Sequence, residues 1–99
     1  MARSLSYRPA AEADILNIYD SIADFADPQS ANRITCEIRE RCERLTDFPE
    51  QGTPRDDLRP GIRTVVIGKA VIAYRLENED VVVVHIRYGG QEMRPERLD

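Results

Sequence analysis

The sequence predicts an α+β fold with the element order β-α-α-β-β-β. Two observations carry this. Helical periodicity is confined to residues 9–47, and three strand-like runs separated by turn-length breaks are confined to residues 62–88. Helices and strands that segregate along a chain pack as separate layers. The expected architecture is an antiparallel helical hairpin on one face of a mainly antiparallel, twisted sheet. Ninety-nine residues suit one domain, and no repeat or linker divides residues 1–99.

Residues 3–7 form a short first strand. Pro9, suited to the first helical position, opens the first helix. There Ala11, Ile15, Ile18, Tyr19, Ile22, Phe25 and Ala26 share one arc, and Asn17, Asp20, Ser21 and Asp24 lie opposite. Asp14, Asp20 and Asp24 are expected on the solvated face. Asp27-Pro28 reads as an N-cap followed by proline at N1. The second helix runs to about Asp47, with the stripe Ala31, Ile34, Ile38, Cys42 and Leu45. Cys36 points away from that stripe and is expected exposed, with Cys42 buried. Phe48-Pro49 stops the helix, and the prolines and glycines of residues 49–61 read as a loop.

The strands are expected at Ile62–Ile67, Ala70–Leu76 and Val81–Tyr88, with turns at Gly68-Lys69 and Glu77–Asp80. Breaks this short force antiparallel pairing. Simple alternation puts Val82, Val84, Ile86 and Tyr88 on one face of the last strand and Val81, Val83, His85 and Arg87 on the other. One hairpin covers one face, so Arg63, Arg75, His85 and Arg87 are expected on the less buried side or its rim.

Composition excludes several function classes. No apolar run reaches the roughly 18 residues of a membrane helix. The start lacks the apolar core of a signal peptide, which favours the cytoplasm. A net charge of −4 argues against a protein that coats phosphate backbones, so direct DNA binding by this chain alone is not expected. The charge is uneven. Residues 1–50 carry 6 arginines against 10 acids, whereas residues 55–75 hold five bases against Asp56 and Asp57. Cys36 and Cys42 stand about 9 Å apart along a helix, beyond disulfide reach. With one histidine and two cysteines, a zinc site lacks ligands, and neither metal nor cofactor is expected.

The residues alone do not name a target. His85 titrates nearest neutrality, but no motif gives it a nucleophile or an orienting partner, so a structural role is expected. Gly89-Gly90 lacks the strand-loop-helix context of a phosphate loop and reads as a turn. An arginine cluster on a sheet face can hold a phosphate or an acidic peptide. Thirteen arginines against one lysine equally fit a surface where ordinary lysine positions have become arginine.

The stretch Phe48-Pro49-Glu50-Gln51-Gly52, followed by Arg55-Asp56-Asp57-Leu58-Arg59-Pro60-Gly61-Ile62-Arg63, resembles the ParE toxins of the RelE/ParE superfamily. The family shows a Pro-x-x-Gly turn and then Leu-Arg-Pro-Gly-Leu-Arg. Pro9-x-Ala11-x-x-Asp14-Ile15-x-x-Ile18-Tyr19 resembles the family's first helix. Val71-Ile72-Ala73-Tyr74-Arg75 is similar to its Tyr-x-Ile-x-Tyr-Arg strand, and Val83–Glu92 to its last strand. The resemblance implies the same element order. It also implies a toxin of a type II toxin-antitoxin (plasmid stabilisation) system, a ParD-like antitoxin partner in a hetero-oligomer, and DNA gyrase as target.

Relatives of the RelE kind instead cut messenger RNA on the ribosome with Lys, Arg and Tyr side chains of the open sheet face. Here Tyr88-Gly89-Gly90-Gln91-Glu92 replaces the family's His-Gly-Arg-Arg-Asp end, and Lys69 stands alone in a turn. Those departures and the acidic charge favour a non-enzymatic gyrase inhibitor over a ribosome-dependent ribonuclease. A non-toxic homologue that still binds its antitoxin is the third reading. The residues expected to meet a partner are Arg59, Arg63, Arg75, His85, Arg87 and Tyr88. A neighbouring reading frame encoding a ribbon-helix-helix start and an acidic, apolar tail would mark the antitoxin.

Overall fold

A computed structural model describes residues 4–90, 93 and 98. The elements are β1 (Leu5–Tyr7), α1 (Pro9–Phe25), α2 (Pro28–Arg44), β2 (Thr53–Pro54), β3 (Arg63–Ile67), β4 (Ala70–Glu77) and β5 (Asp80–Tyr88). The sheet order is β1-β5-β4-β3-β2. β1 runs parallel to β5, and every other pair is antiparallel.

The hairpin forms where the sequence places it. Pro9 starts α1, and the Asp27 carboxylate accepts the Ser30 N–H at 2.6 Å to cap α2. That backbone bond holds the Asp27 carboxyl below the usual aspartate range. Ala11, Ile15, Ile18 and Ile22 of α1 meet Ala31, Ile38 and Cys42 of α2 over Val65, Ile72, Tyr74, Val81, Val83 and Ile86. Arg39 ties three elements together. It donates to both Glu12 oxygens at 3.1 and 3.5 Å and lies 5.2 Å from the centre of the Tyr7 ring.

Cys36 is exposed and Cys42 buried, as the helical angle predicts. Burial pushes the Cys42 thiol up to about 11. A thiol reagent on the native protein is therefore expected to modify Cys36 quickly and Cys42 only after unfolding. Comparable rates at both would mean that α2 opens locally.

Several expectations are corrected. α2 ends at Arg44 rather than Asp47, and residues 45–47 continue as turns. The loop expected over residues 49–61 contains β2, whose Thr53 and Pro54 pair with Thr64 and Arg63. β4 and β5 each extend into the expected turn, so Glu77 pairs with Asp80 around Asn78, whose φ of 59° asparagine tolerates. Phe25, expected on the buried stripe, is 96% exposed. Ser21 already lies beside Tyr88, the last residue of β5, so one helical turn further no strand remains to cover Phe25.

The faces of β5 also differ from simple alternation. Tyr74 pairs with Val83 and Ala73 with His85, which leaves Val84 as an extra residue, a β-bulge. Val81, Val83, Ile86 and Tyr88 consequently pack towards the helices, while Val82 and Val84 belong to a second cluster. That cluster covers the middle of the other face. Ile62, Ala73, Val82, Val84 and Leu98 are buried there, with Leu58 and Met93 packed against them. The sheet face expected to be open is thus closed at its centre by the chain itself.

Candidate functional site

β1 pairs only with Val81–Val83, so the rest of β5 presents a free edge to α1. The Asp14 carboxylate bridges that gap. It accepts the Ile86 N–H at 2.8 Å and contacts His85 Nδ1 with the same oxygen. Asp14 is 13% exposed in its side chain and His85 1%. Both placements correct the sequence reading, which put Asp14 in solvent and His85 at a rim. The bulge at Val84 turns His85 out of the alternation and delivers it to the strand edge.

Beyond this pair the edge opens into a groove of about 310 Å³, between Asp14, Asn17, Ile18 and Ser21 of α1 and Ile86, Arg87 and Tyr88 of β5. An amide, a hydroxyl, a guanidinium and a phenol stand around an aliphatic floor. Tyr88 also borders a second depression of about 200 Å³ on the α2 side, beside Ile34, Ile67 and Lys69. Tyr88 is therefore the partition between the two helices' open ends. Of the expected set, Arg87 and Tyr88 line this groove, whereas His85 is buried against Asp14 and does not.

The other expected residues lie elsewhere. Arg63 pairs with Tyr74 and shares the helix-facing side with Val65 and Ile67, not the side of Arg75. Its Nη1 donates to Glu50 O at 3.1 Å and Gly52 O at 2.8 Å, so it braces a loop. Arg75 pairs with Val82 on the opposite face and donates to Glu77 at 2.6 Å. Arg8 reaches the same Glu77 oxygen at 3.0 Å. The Arg75 guanidinium, aided by Arg8, holds the Glu77 carboxyl below the usual glutamate range. Arg59 is exposed on the loop before β3. No cluster of three or more His, Cys, Asp and Glu side chains fit for a metal occurs among the described residues.

Asp14, Asn17 and Ser21 were missed because polar residues on a helix read as solvated. One signal did exist. Asp14 lies three residues after buried Ala11 and four before buried Ile18, so it flanks the apolar arc.

The described geometry agrees with known proteins. Residues 5–93 match the family model described as ParE toxin of type II toxin-antitoxin system, parDE. The chain is 33% identical over 89 residues to Toxin ParE3 of Caulobacter vibrioides, covering 90% of this chain and 88% of that protein. Among solved structures it is similar to the chromosomal ParDE system of P. aeruginosa, with a TM-score of 0.78 and 25% identity over 88% of this chain and 96% of that one. It also shares its fold with the RelBE2 toxin-antitoxin complex of Mycobacterium tuberculosis, with a TM-score of 0.68 and 18% identity over 90% and 100% of the two chains.

Proposed function

This chain belongs to the ParE family of type II toxins, and from that membership we propose that it inhibits DNA gyrase by binding and is neutralised by a ParD-like antitoxin. What supports binding over catalysis is the scatter of the expected reactive groups. In-line attack by a 2′-hydroxyl needs a proton acceptor and cations around one phosphate. His85 is enclosed against Asp14, Arg63 lies across the sheet from Arg75, and Arg75 is engaged by Glu77. The two structural relatives are described as a ParDE system and a RelBE2 complex, which supports an antitoxin partner in a hetero-oligomer. The site of action is the cytoplasm, where gyrase works. No described helix is long and apolar enough to cross a membrane.

The deciding experiment sets a gyrase supercoiling assay beside a ribosome-programmed message-cleavage assay. Loss of supercoiling with intact message is expected. Message cleavage abolished by Arg87→Ala or Tyr88→Phe would promote the ribonuclease, and silence in both assays would leave a non-toxic antitoxin-binding homologue.

Antitoxin binding is expected to rest on apolar burial of roughly 800 Å² per partner, with arginines at the rim. Exposed pairs contribute only about 0.2–1 kcal/mol each. Arg59→Ala and Arg75→Ala should therefore weaken the complex by no more than about fivefold each. Arg63→Ala should register in thermal stability instead. A steep collapse of affinity between low and high salt would count against apolar dominance.

A further inference from the structure

α2 carries a cation where one side of its apolar stripe would continue. Ile34 and Arg41 are seven residues apart, so they lie on nearly one line of the helix, about 10 Å from each other. Ile34 packs against the core beside Ile38 and Ile67, in the depression of about 200 Å³ on the α2 side. Arg41 is half-buried two turns further on, and its Nη1 is buried without a hydrogen-bond partner among the described residues. Glu37, one turn before it, faces Arg33 at 3.7 Å instead. Burial pushes the Tyr74 phenol up; of the charges near it, Arg63 and Arg41 pull it down and Glu50 pushes it up. Arg41 and Arg63 thus stand at the same end of the α2 side, but Arg63 gives its Nη1 to the carbonyls of Glu50 and Gly52. A guanidinium partly stripped of water and left without an acceptor destabilises the free chain. A carboxylate that reaches it gains more than it would at a fully solvated arginine, because part of the desolvation has already occurred.

We propose that Arg41 recognises a carboxylate of the antitoxin, while an apolar side chain of the same segment enters the slot between Ile34 and Ile67. The charges select an acidic peptide. The slot and the Tyr74 end meet Arg33, Arg41, Arg63 and Lys69 against Glu37 and Glu50. Counting exposed Arg44 against exposed Glu40 and Asp47 still leaves the balance positive. The acids within this set disfavour a run of phosphates, and the aliphatic slot suits a peptide side chain. The inference rests on the toxin-antitoxin reading above.

The test is a calorimetric titration of the chain with the ribbon-helix-helix protein encoded beside it, together with thermal melts of the free chain. Arg41→Met is expected to weaken the complex tenfold or more, yet to raise the melting temperature of the free chain by about 2–4 °C. Arg44→Ala, on the same helix, should change affinity less than twofold. Replacing the antitoxin's acids one at a time by their amides should find one whose loss weakens the wild-type complex but not the Arg41→Met complex. An Arg41→Met chain that binds as tightly as the wild type would overturn this inference alone. So would a lowered melting temperature, which would make Arg41 a structural brace, or the absence of any coupled acid. A loss of DNA or RNA affinity in Arg41→Met with antitoxin binding intact would assign the site to phosphate and overturn it too. A wild-type chain that has no such neighbour, or does not bind it, would overturn the toxin-antitoxin reading and this inference with it.

Discussion

Gly52→Ala is expected to lower the melting temperature by about 10–20 °C, one of the two largest effects of any single substitution considered. A Cβ at position 52 would sit 2.5 Å from Tyr74 Oη, 2.7 Å from Cε1 and 2.9 Å from Cζ. Tyr74 cannot yield, because it is completely buried beneath the helical hairpin and pairs with both Arg63 and Val83. Overpacking of this kind costs about 1–3 kcal/mol. Displacing the ring also breaks the Gly52 N–H and Pro49 C=O bonds to its hydroxyl, and an orphaned buried polar group costs about 1–3 kcal/mol more. A total near 3 kcal/mol corresponds to that shift in a domain of this size. Tyr74→Phe removes only the oxygen and should cost about 1–2 kcal/mol. Because the oxygen is the nearest clashing atom, the two changes together should cost less than their sum. Thermal melts of the four proteins check this. A Gly52→Ala shift of only 2–3 °C would mean that the ring has room, and that the turn carrying Phe48 does not depend on it.

The layers of this fold were legible because they rest on periodicity over many residues. The stripe of α1 as far as Ile22, that of α2 and the opposite fates of Cys36 and Cys42 follow from a rotation of 100° per residue, and the cap at Asp27 follows from the Asp-Pro pair. The faces of β5 were not legible. Val81–Val84 are four consecutive valines that suit either side, so nothing in the run marks the extra residue, and one slipped position moves His85 and Ile86 relative to the strand's start. β2 is two residues long and includes a proline tolerated at a sheet edge, which leaves no alternation to read. Closure of the second face depends on Leu98, distant in sequence from the Ile62, Ala73, Val82 and Val84 that it covers.

The candidate site divides in the same way. Arg87 and Tyr88 end β5 and line the groove beside α1, which their place in the last strand made legible. Arg63 was placed with the wrong neighbours because its partners are backbone carbonyls, which carry no signature in the side-chain sequence. Asp14 was assigned to water because a carboxylate on a helix usually belongs there. Its partner is a strand edge that β1 is too short to cover.

That shortfall makes Asp14→Ala the other large effect. β5 continues past the end of β1, and the exposed edge would leave the Ile86 N–H without a partner in a half-buried position. Asp14 supplies that partner and also faces His85, whose side chain has almost no access to water. Removing the carboxylate leaves the Ile86 N–H without its acceptor and deletes the contact to His85 at once. Each buried polar group left unsatisfied costs about 1–3 kcal/mol, so a loss of about 2–4 kcal/mol is expected. Asp14→Asn keeps an oxygen for the Ile86 N–H and alters only what faces His85, so it should lose about half as much. A double-mutant cycle with His85→Gln separates the two contacts. Coupling of about 1–2 kcal/mol between positions 14 and 85 is expected for side chains in direct contact. The Ile86 amide should meanwhile exchange its hydrogen faster in Asp14→Ala than in His85→Gln. If the cycle is additive and Ile86 exchange is unchanged, then Asp14 does not hold the end of β5 against α1. The groove beside Tyr88 would then owe its shape to the packing of Ile18 and Ile86 and its other lining side chains rather than to Asp14.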